Sequence, residues 1–276
     1  MHYLRSLFYL LLFSTNMGSA FGQELLSDRY ASAFRDILTE HNLLGTVLVF
    51  DAQQDSFYSN DFQRAAQGFL PASTFKIPNT LIALETHIVT DENSILHWDG
   101  KKRNNVRWEK DLTLKEAFRL SCVPCYQEIA GKIGLPSMLD YLTLFSYPGM
   151  DVRQETLQNF WLVGDSKIST FQQVQFLRDF YNRKIPLSDS TYQTMLKVLE
   201  IESQPTYSWS GKTGWSTDHG DNGWFVGYLR RGSALYYFAA NLEPKDADHV
   251  DEFLVAREQA VRQALQAMHA FEEKHN

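Results

Sequence analysis

Ser73 and Lys76 stand three residues apart in PASTFKIPNT (residues 71–80), about one helical turn, so their side chains face the same way. A serine hydroxyl is a weak nucleophile until a neighbouring base takes its proton. A lysine serves as that base only when neutral, and burial favours the neutral amine. The segment continues Leu81-Ile82-Ala83-Leu84, which sets the pair at the mouth of an apolar helix. The plain alternatives are a helix-capping serine and a solvated lysine. A second group, Lys212-Thr213-Gly214, lies in a strand-like run just before a loop. S-x-x-K or K-T-G alone recurs by chance. In this order, one on a helix start and the other on a strand, they point to a serine nucleophile served by lysines.

Other chemistries have less support. No G-x-S-x-G elbow is present, and the eight histidines show neither H-x-H nor H-E-x-x-H spacing. That disfavours a Ser-His-Asp hydrolase and a histidine-bound zinc hydrolase, and there is no glycine-rich phosphate loop. STDHGDN (residues 216–222) reads as a polar turn between strands in preference to a cation site.

The pair must be positioned by the surrounding elements. Leu26, Tyr30, Phe34, Ile37 and Leu38 predict one helix over residues 25–38. LLGTVLVF is strand-like, and DAQQD turns it into a second short strand, SFYSN. A mostly helical middle follows. It includes LTLKEAFRL, PSMLDYLTLF and FQQVQFLRDFY, the last announced by Ser169 and Gln172 as a capping box. YSWSGKTGW, GWFVGYLR and ALYYFAANL are aromatic and β-branched strands, with RRGS turning between the last two. A final helix over residues 250–268 carries Phe253, Leu254, Val261, Ala264, Leu265 and Met268 on one stripe. The expected fold is therefore of α/β (α+β) type. One antiparallel sheet is built from both chain ends and flanked by helices (about 23–70 and 205–276), with a helical second lobe over about 71–204.

The 276 residues suffice for one large domain. A net charge of −7 with scattered basic residues argues against a nucleic-acid surface. Residues 1–22 read as a secretory signal peptide: Arg5, an apolar run over 7–13, then Gly18, Ser19 and Ala20 before a cleavage site. That run is well short of the ~20 residues of a membrane span. The expectation is export to a bacterial periplasm with no anchor after cleavage. Cys122 and Cys125, in SCVPCYQ, are the two cysteines. They are read first as small buried apolar side chains on one helix face, with a redox pair or a local disulfide as alternatives.

PASTFK, SCVPCYQE, NFWLVG, GKTGW and NGWFVGY closely resemble the class D β-lactamases, the oxacillinases, from about Gly45 to the last helix. The resemblance implies a penicillin-binding-protein-like fold and opening of β-lactam rings through a Ser73 ester. It implies that carbon dioxide or bicarbonate carbamylates Lys76 (N6-carboxylysine), with no bound metal or organic cofactor. Val123 and Trp161 would wall that pocket, and the Trp161 indole N–H would donate to the carbamate. Carbamylated Lys76 would act as base for acylation and again for deacylation. The backbone N–H groups of Ser73 and Trp215 would form the oxyanion hole, and Ser121 would pass a proton to the lactam nitrogen. Lys212 and Gly214 would line the site, while Thr213 and Arg257 would hold the substrate carboxylate. The plain readings remain a capping Ser121, a core Trp161, a solvated Lys212 and an exposed Arg257.

Where the family commonly reads Tyr-Gly-Asn, this chain has Tyr147-Pro148-Gly149. Proline removes a donor, so altered loop geometry is expected there. Substrate range rests on loops around Trp108, Tyr147 and residues 216–222. A monomer or homodimer acting on small β-lactams is expected. The rivals are a β-lactam sensor that stays acylated, a low-molecular-weight penicillin-binding protein, and a redox protein using the cysteines.

Overall fold

The computed structural model describes residues 25–246 and 250–272; the signal peptide read over residues 1–22 lies outside them. Strand β1 (Leu25–Ser27) leads into helix α1 (Ala31–Glu40), and β2 (Leu43–Asp51) and β3 (Ser56–Ser59) form a hairpin. The single helix expected over residues 25–38 is thus divided. Leu25, Leu26 and Ser27 pair in parallel with Ser56, Phe57 and Tyr58, so an open sheet edge overrides the helical spacing there.

A short helix α2 (Phe62–Ala65) and a 3-10 turn (Ala72–Phe75) precede α3 (Lys76–Glu85). The ladder of β4 (Ile95–Leu96) and β5 (Leu112–Thr113) comes next, with a 3-10 turn (Val106–Trp108) between its strands. Helices α4 (Leu114–Arg119), α5 (Val123–Ile133) and α6 (Leu135–Leu144) follow. A non-helical stretch leads to α7 (Thr170–Tyr181) and α8 (Asp189–Leu199). Ser169 and Gln172 make the expected reciprocal capping box at α7. The chain returns to the sheet through β6 (Glu200–Ser203), β7 (Ser208–Ser216), β8 (Asn222–Arg231) and β9 (Ala234–Pro244), and ends in α9 (Val250–Ala267).

Among the described residues seven strands form one sheet in the order β1-β3-β2-β9-β8-β7-β6. β2 lies antiparallel to β9, from Leu43 opposite Pro244 to Asp51 opposite Tyr236, so both chain ends build the sheet, as expected. β6 pairs with β7 inside the stretch assigned to the helical lobe. No turn residue separates it from α8, so the switch leaves no mark in the composition.

Side chains alternate along the strands and supply two cores. Phe225, Leu229, Tyr236, Phe238 and Ala240 pack with Phe34 of α1 and with Phe253 and Val261 of α9. Trp224, Val226, Tyr228, Tyr237 and Ala239 join the helical lobe on the other face. Cover on both faces explains why these strands read as near-continuous apolar runs. α3 is central to the second core: every residue from Lys76 to Leu84 is buried. A helix enclosed on all sides is apolar all round, which makes its polar residues conspicuous.

Candidate active site

The serine sits in the 3-10 turn, one step before α3, where an α-helical first turn was expected. No side-chain hydrogen bond caps either the turn or α3, so Ser73 is not a capping serine. The turn is fixed from the sheet and from the helical lobe. From β8, Trp224 Nε1 and Asn222 Nδ2 donate to the Leu70 carbonyl at 2.7 and 2.8 Å. From α7, Gln173 Nε2 donates to Thr74 Oγ1 at 2.7 Å, and that hydroxyl donates to the Pro71 carbonyl at 2.6 Å. Ala72, beside the serine, holds φ at +49°, a left-handed value of the kind that persists only where the surroundings enforce it. β7 closes on the same turn at Gly214. A Cβ there would lie 3.2 Å from both the Pro71 carbonyl oxygen and the Thr74 methyl, so glycine allows the approach.

Lys76 is 1% exposed, and its Nζ donates to Ser73 Oγ at 3.1 Å. Burial pushes its amine down to about 7, which removes the solvated-lysine alternative. The ammonium nitrogen lies 4.9 Å from the centre of the Tyr126 ring, whose hydroxyl is hydrogen-bonded to Thr80 at 2.7 Å. Trp161 is 0% exposed and stacks on Phe75 with centroids 5.5 Å apart. Its indole Nε1 is buried and has no hydrogen-bond partner. Trp209 Nε1, in the core under α9, is orphaned too, but the Trp161 donor lies on the residue packed against Phe75, next to Lys76.

Ser121 and Lys212 meet across the cleft, with Lys212 Nζ donating to Ser121 Oγ at 2.5 Å. The same amine donates to the Thr213 carbonyl at 2.8 Å and to Thr213 Oγ1 at 3.3 Å. Burial, and then the charges of Lys76 and Arg257, hold Lys212 well below its ordinary value. It is not a solvated strand residue. The Ser121 side chain is not the N-cap of α5, a position that Cys122 takes. Val123, the first residue of α5, is half-buried.

Arg257 is 5% exposed, where a plain helix arginine would face water. Its guanidinium donates to the Gly214 carbonyl, and to that of Leu254 at 3.1 and 3.3 Å. β6 covers β7 only as far as Ser210, so among the described residues, 211–216 have no strand partner on that side. Trp215 stands on this open edge, partly exposed, with its indole donating to Asp221 at 3.0 Å.

The chain has relatives in sequence and in fold. Residues 45–266 match the model of the penicillin binding protein transpeptidase domain. The chain is 36% identical over 215 residues to β-lactamase OXA-5 of Pseudomonas aeruginosa, covering 76% of this chain and 80% of that one. It is 36% identical over 211 residues to β-lactamase OXA-48 of Klebsiella pneumoniae, covering 76% and 79%. A crystal structure of the class D β-lactamase YbXI from Nostoc superposes with a TM-score of 0.81 at 34% identity, covering 86% of this chain and 98% of that one. The class D β-lactamase from Sebaldella termitidis superposes at 0.82 with 33% identity, covering 88% and 97%. The chain belongs to the class D β-lactamases.

Within this class D scaffold the Tyr147-Pro148-Gly149 loop is tied to the site at both of its ends. Tyr147 is buried, and its hydroxyl donates to Gln173 at 3.5 Å, the residue that holds Thr74. Gly149, at φ +78°, accepts from Lys167 N at 2.7 Å, and a Cβ would meet the Lys167 carbonyl oxygen at 2.1 Å. Two ends of the loop carrying Trp161 are thereby brought together. Ser216 Oγ donates to the Leu162 carbonyl at 2.8 Å, and Gly164 N to Asp218 at 2.8 Å. The 216–222 turn therefore braces that loop, which gives its polar residues a structural task.

Cys122 and Cys125 form a disulfide, correcting the preferred reading of two independent apolar side chains. Their Cα atoms are 5.4 Å apart across one helical turn, inside bridging range. Two site residues escaped the sequence reading. Tyr126 carries the ring against Lys76. Asn79 is fully buried with its Oδ1 unpaired and its Nδ2 on the Tyr126 carbonyl at 3.4 Å. Asn79 and Thr80 lie three and four positions beyond Lys76 in an otherwise apolar helix, and that polarity was the available signal.

Proposed function

We propose that this chain hydrolyses the β-lactam ring of penicillin-type antibiotics through a Ser73 acyl-enzyme, conferring resistance, with carbamylated Lys76 as the base for both half-reactions. The observation that carries this reading is the buried lysine pushed down to about 7 with its nitrogen 3.1 Å from the serine oxygen. Carbamylation suits the residues present. The amine is substantially neutral, an indole N–H is buried without an acceptor, and no carboxylate is among the groups that shift Lys76 or Lys212. Lys76 would carry the carbamate and Trp161 Nε1 would hold it. When present, it supplies a carboxylate-type base beside the serine.

Ser73 Oγ attacks the lactam carbonyl as its proton passes to the base at Lys76. Backbone N–H groups of Ser73 and Trp215 receive the developing oxyanion at the open edge of β7. Lys212 donates to Ser121 Oγ, which leaves the serine's own proton free for the departing ring nitrogen. Thr213 and Arg257 take the substrate carboxylate. Export to the periplasm follows from the leader in this reading. Among the described residues no helix is long and apolar enough to cross a membrane.

Mixing the mature protein with excess penicillin and bicarbonate, and counting rings opened per molecule, tests the reading. Many turnovers are expected; one ring per molecule with Ser73 acylated would mean a sensor or a penicillin-binding protein. Arg257→Ala is expected to lower kcat/KM for a carboxylate-bearing penicillin by about 10- to 100-fold, mainly through KM, as loss of charge-assisted hydrogen bonds does. Loss confined to kcat would remove Arg257 from carboxylate binding.

A further inference from the structure

We infer that the Cys122–Cys125 disulfide is a positioning element for Ser121, a covalent helix cap that fixes where the proton-donating hydroxyl sits between two helix ends. This rests on the reading of Ser121 as the proton source for the lactam nitrogen.

The backbone shows what is held. α4 ends at Arg119 with Leu120 as its cap, and Ser121 follows at φ +52°. Ser121 N donates to the Phe118 carbonyl at 3.2 Å and Cys122 N to the Ala117 carbonyl at 2.9 Å. Those two bonds are the Schellman ending, whose left-handed position normally belongs to glycine. Here a serine occupies it, as His87, Ser146, Arg183 and His269 occupy the same position at other helix ends, and this serine is the one whose hydroxyl meets Lys212. The α4 side of Ser121 is thus secured by hydrogen bonds, and by Trp108 Nε1 donating to the Leu120 carbonyl at 3.0 Å.

The α5 side is secured differently. Cys122 is the N-cap of α5, with Val123, Pro124 and Cys125 as its first three residues. A serine, threonine or aspartate at this position would accept from the third residue's N–H. Sulfur is a weak acceptor, and Cys125 N does reach Cys122 Sγ, at 3.3 Å. The covalent bond between the same two residues replaces the missing strength. It closes the first turn of α5 directly after Ser121, so that residue is pinned between two helix ends. Ser121 Oγ is thereby kept 2.5 Å from Lys212 Nζ. Cys122 is fully buried and Cys125 half-buried, beside a cavity also lined by Trp108, Pro124 and Gln127.

The test compares the mature protein oxidised, reduced by excess dithiol, and reoxidised. The dithiol supplies two electrons and two protons, the disulfide opens to two thiols, and the reductant closes to its own cyclic disulfide. Single-turnover acylation and deacylation, thiol titration and melting temperature are read on each form. Reduction is expected to slow acylation by a penicillin about tenfold, since small displacements of a catalytic group cost that much or more. Acylation by an aryl ester, whose phenolate needs no proton to depart, should slow less than about threefold. Deacylation should hold and reoxidation restore the rate. In Ser121→Ala, acylation is already slow and reduction should add nothing.

Unchanged penicillin acylation with two free thiols titrated overturns the inference. So do equal losses for penicillin and aryl ester, which would mean general loosening. Normal acylation in Ser121→Ala overturns the underlying proton-transfer reading, and this inference with it, a result distinct from the other two. Should the reduced protein melt below assay temperature, Cys122→Ala with Cys125→Val keeps apolar filling without the bond, and the same criteria decide.

Discussion

Lys76→Ala is expected to leave a folded protein whose kcat/KM for a penicillin has fallen by about 10²- to 10⁴-fold, the range for loss of general-base catalysis. Both half-reactions should suffer, because Ser73 and the deacylating water depend on the same base. Stability separates this from unfolding. A lysine pushed down to about 7 in the fold, against an ordinary value near 10.5, is a group the folded state holds with fewer protons than the unfolded chain. Stability of the parent protein in carbon-dioxide-free buffer should therefore rise as pH climbs from about 7 toward about 10.5 and lose that increment as pH falls back. Below about 7 the two states bind equally and the dependence flattens. Lys76→Ala should remove the Lys76 share of this pH dependence and leave the share of Lys212, which burial also holds well below its ordinary value. It removes a costly buried amine along with about 2–3 kcal/mol of methylene burial, so its melting temperature should stay near the parent's. Turnover retained in a folded Lys76→Ala protein would exclude Lys76 as the base.

The pair Ser73 and Lys76 was legible because its chemistry is local: two residue types one turn apart in an apolar helix carry their own rationale. The strands β2, β8 and β9 were legible for a related reason, since burial on both faces writes itself into composition. What periodicity does not record is the partner. Residues 25–27 satisfy a helical stripe, yet they pair along β3, and only the assembled sheet offers that edge. The serine turn owes its place to Trp224 and Asn222, some 150 positions later in the chain, both reaching the Leu70 carbonyl. Arg257 came from the family resemblance alone; its burial beside Gly214 depends on how α9 lies across β7 and β8. The cysteines were ambiguous because a C-x-x-C spacing suits packing, redox chemistry or a bridge. The distinction lies in a helix end at Ser121 whose left-handed backbone the sequence does not display.

Trp161 offers the second large effect. Trp161→Phe retains an aromatic ring against Phe75 and Phe160 and removes the N–H, which makes it sharper than Trp161→Ala. Truncation to alanine would add about 3–5 kcal/mol of destabilisation from the emptied core and confuse the reading. In the phenylalanine variant, deacylation is expected to slow by about 100-fold and acylation by less than about tenfold, the asymmetry of a base needed twice but less stable once its donor is gone. The reason lies in the proton balance: carbamate formation needs the neutral amine and releases a proton, so weakening the pocket returns Lys76 to the free amine. Activity of this variant should therefore fall steeply as pH drops below about 7, where the amine is protonated. Added bicarbonate at higher pH should restore part of it by mass action. A carbamate carbon seen on Lys76 by ¹³C labelling in the parent, and reduced in Trp161→Phe, would tie the kinetics to the modification. Equal slowing of both steps with no response to bicarbonate would leave Trp161 a core residue, and the orphaned indole N–H would need another acceptor.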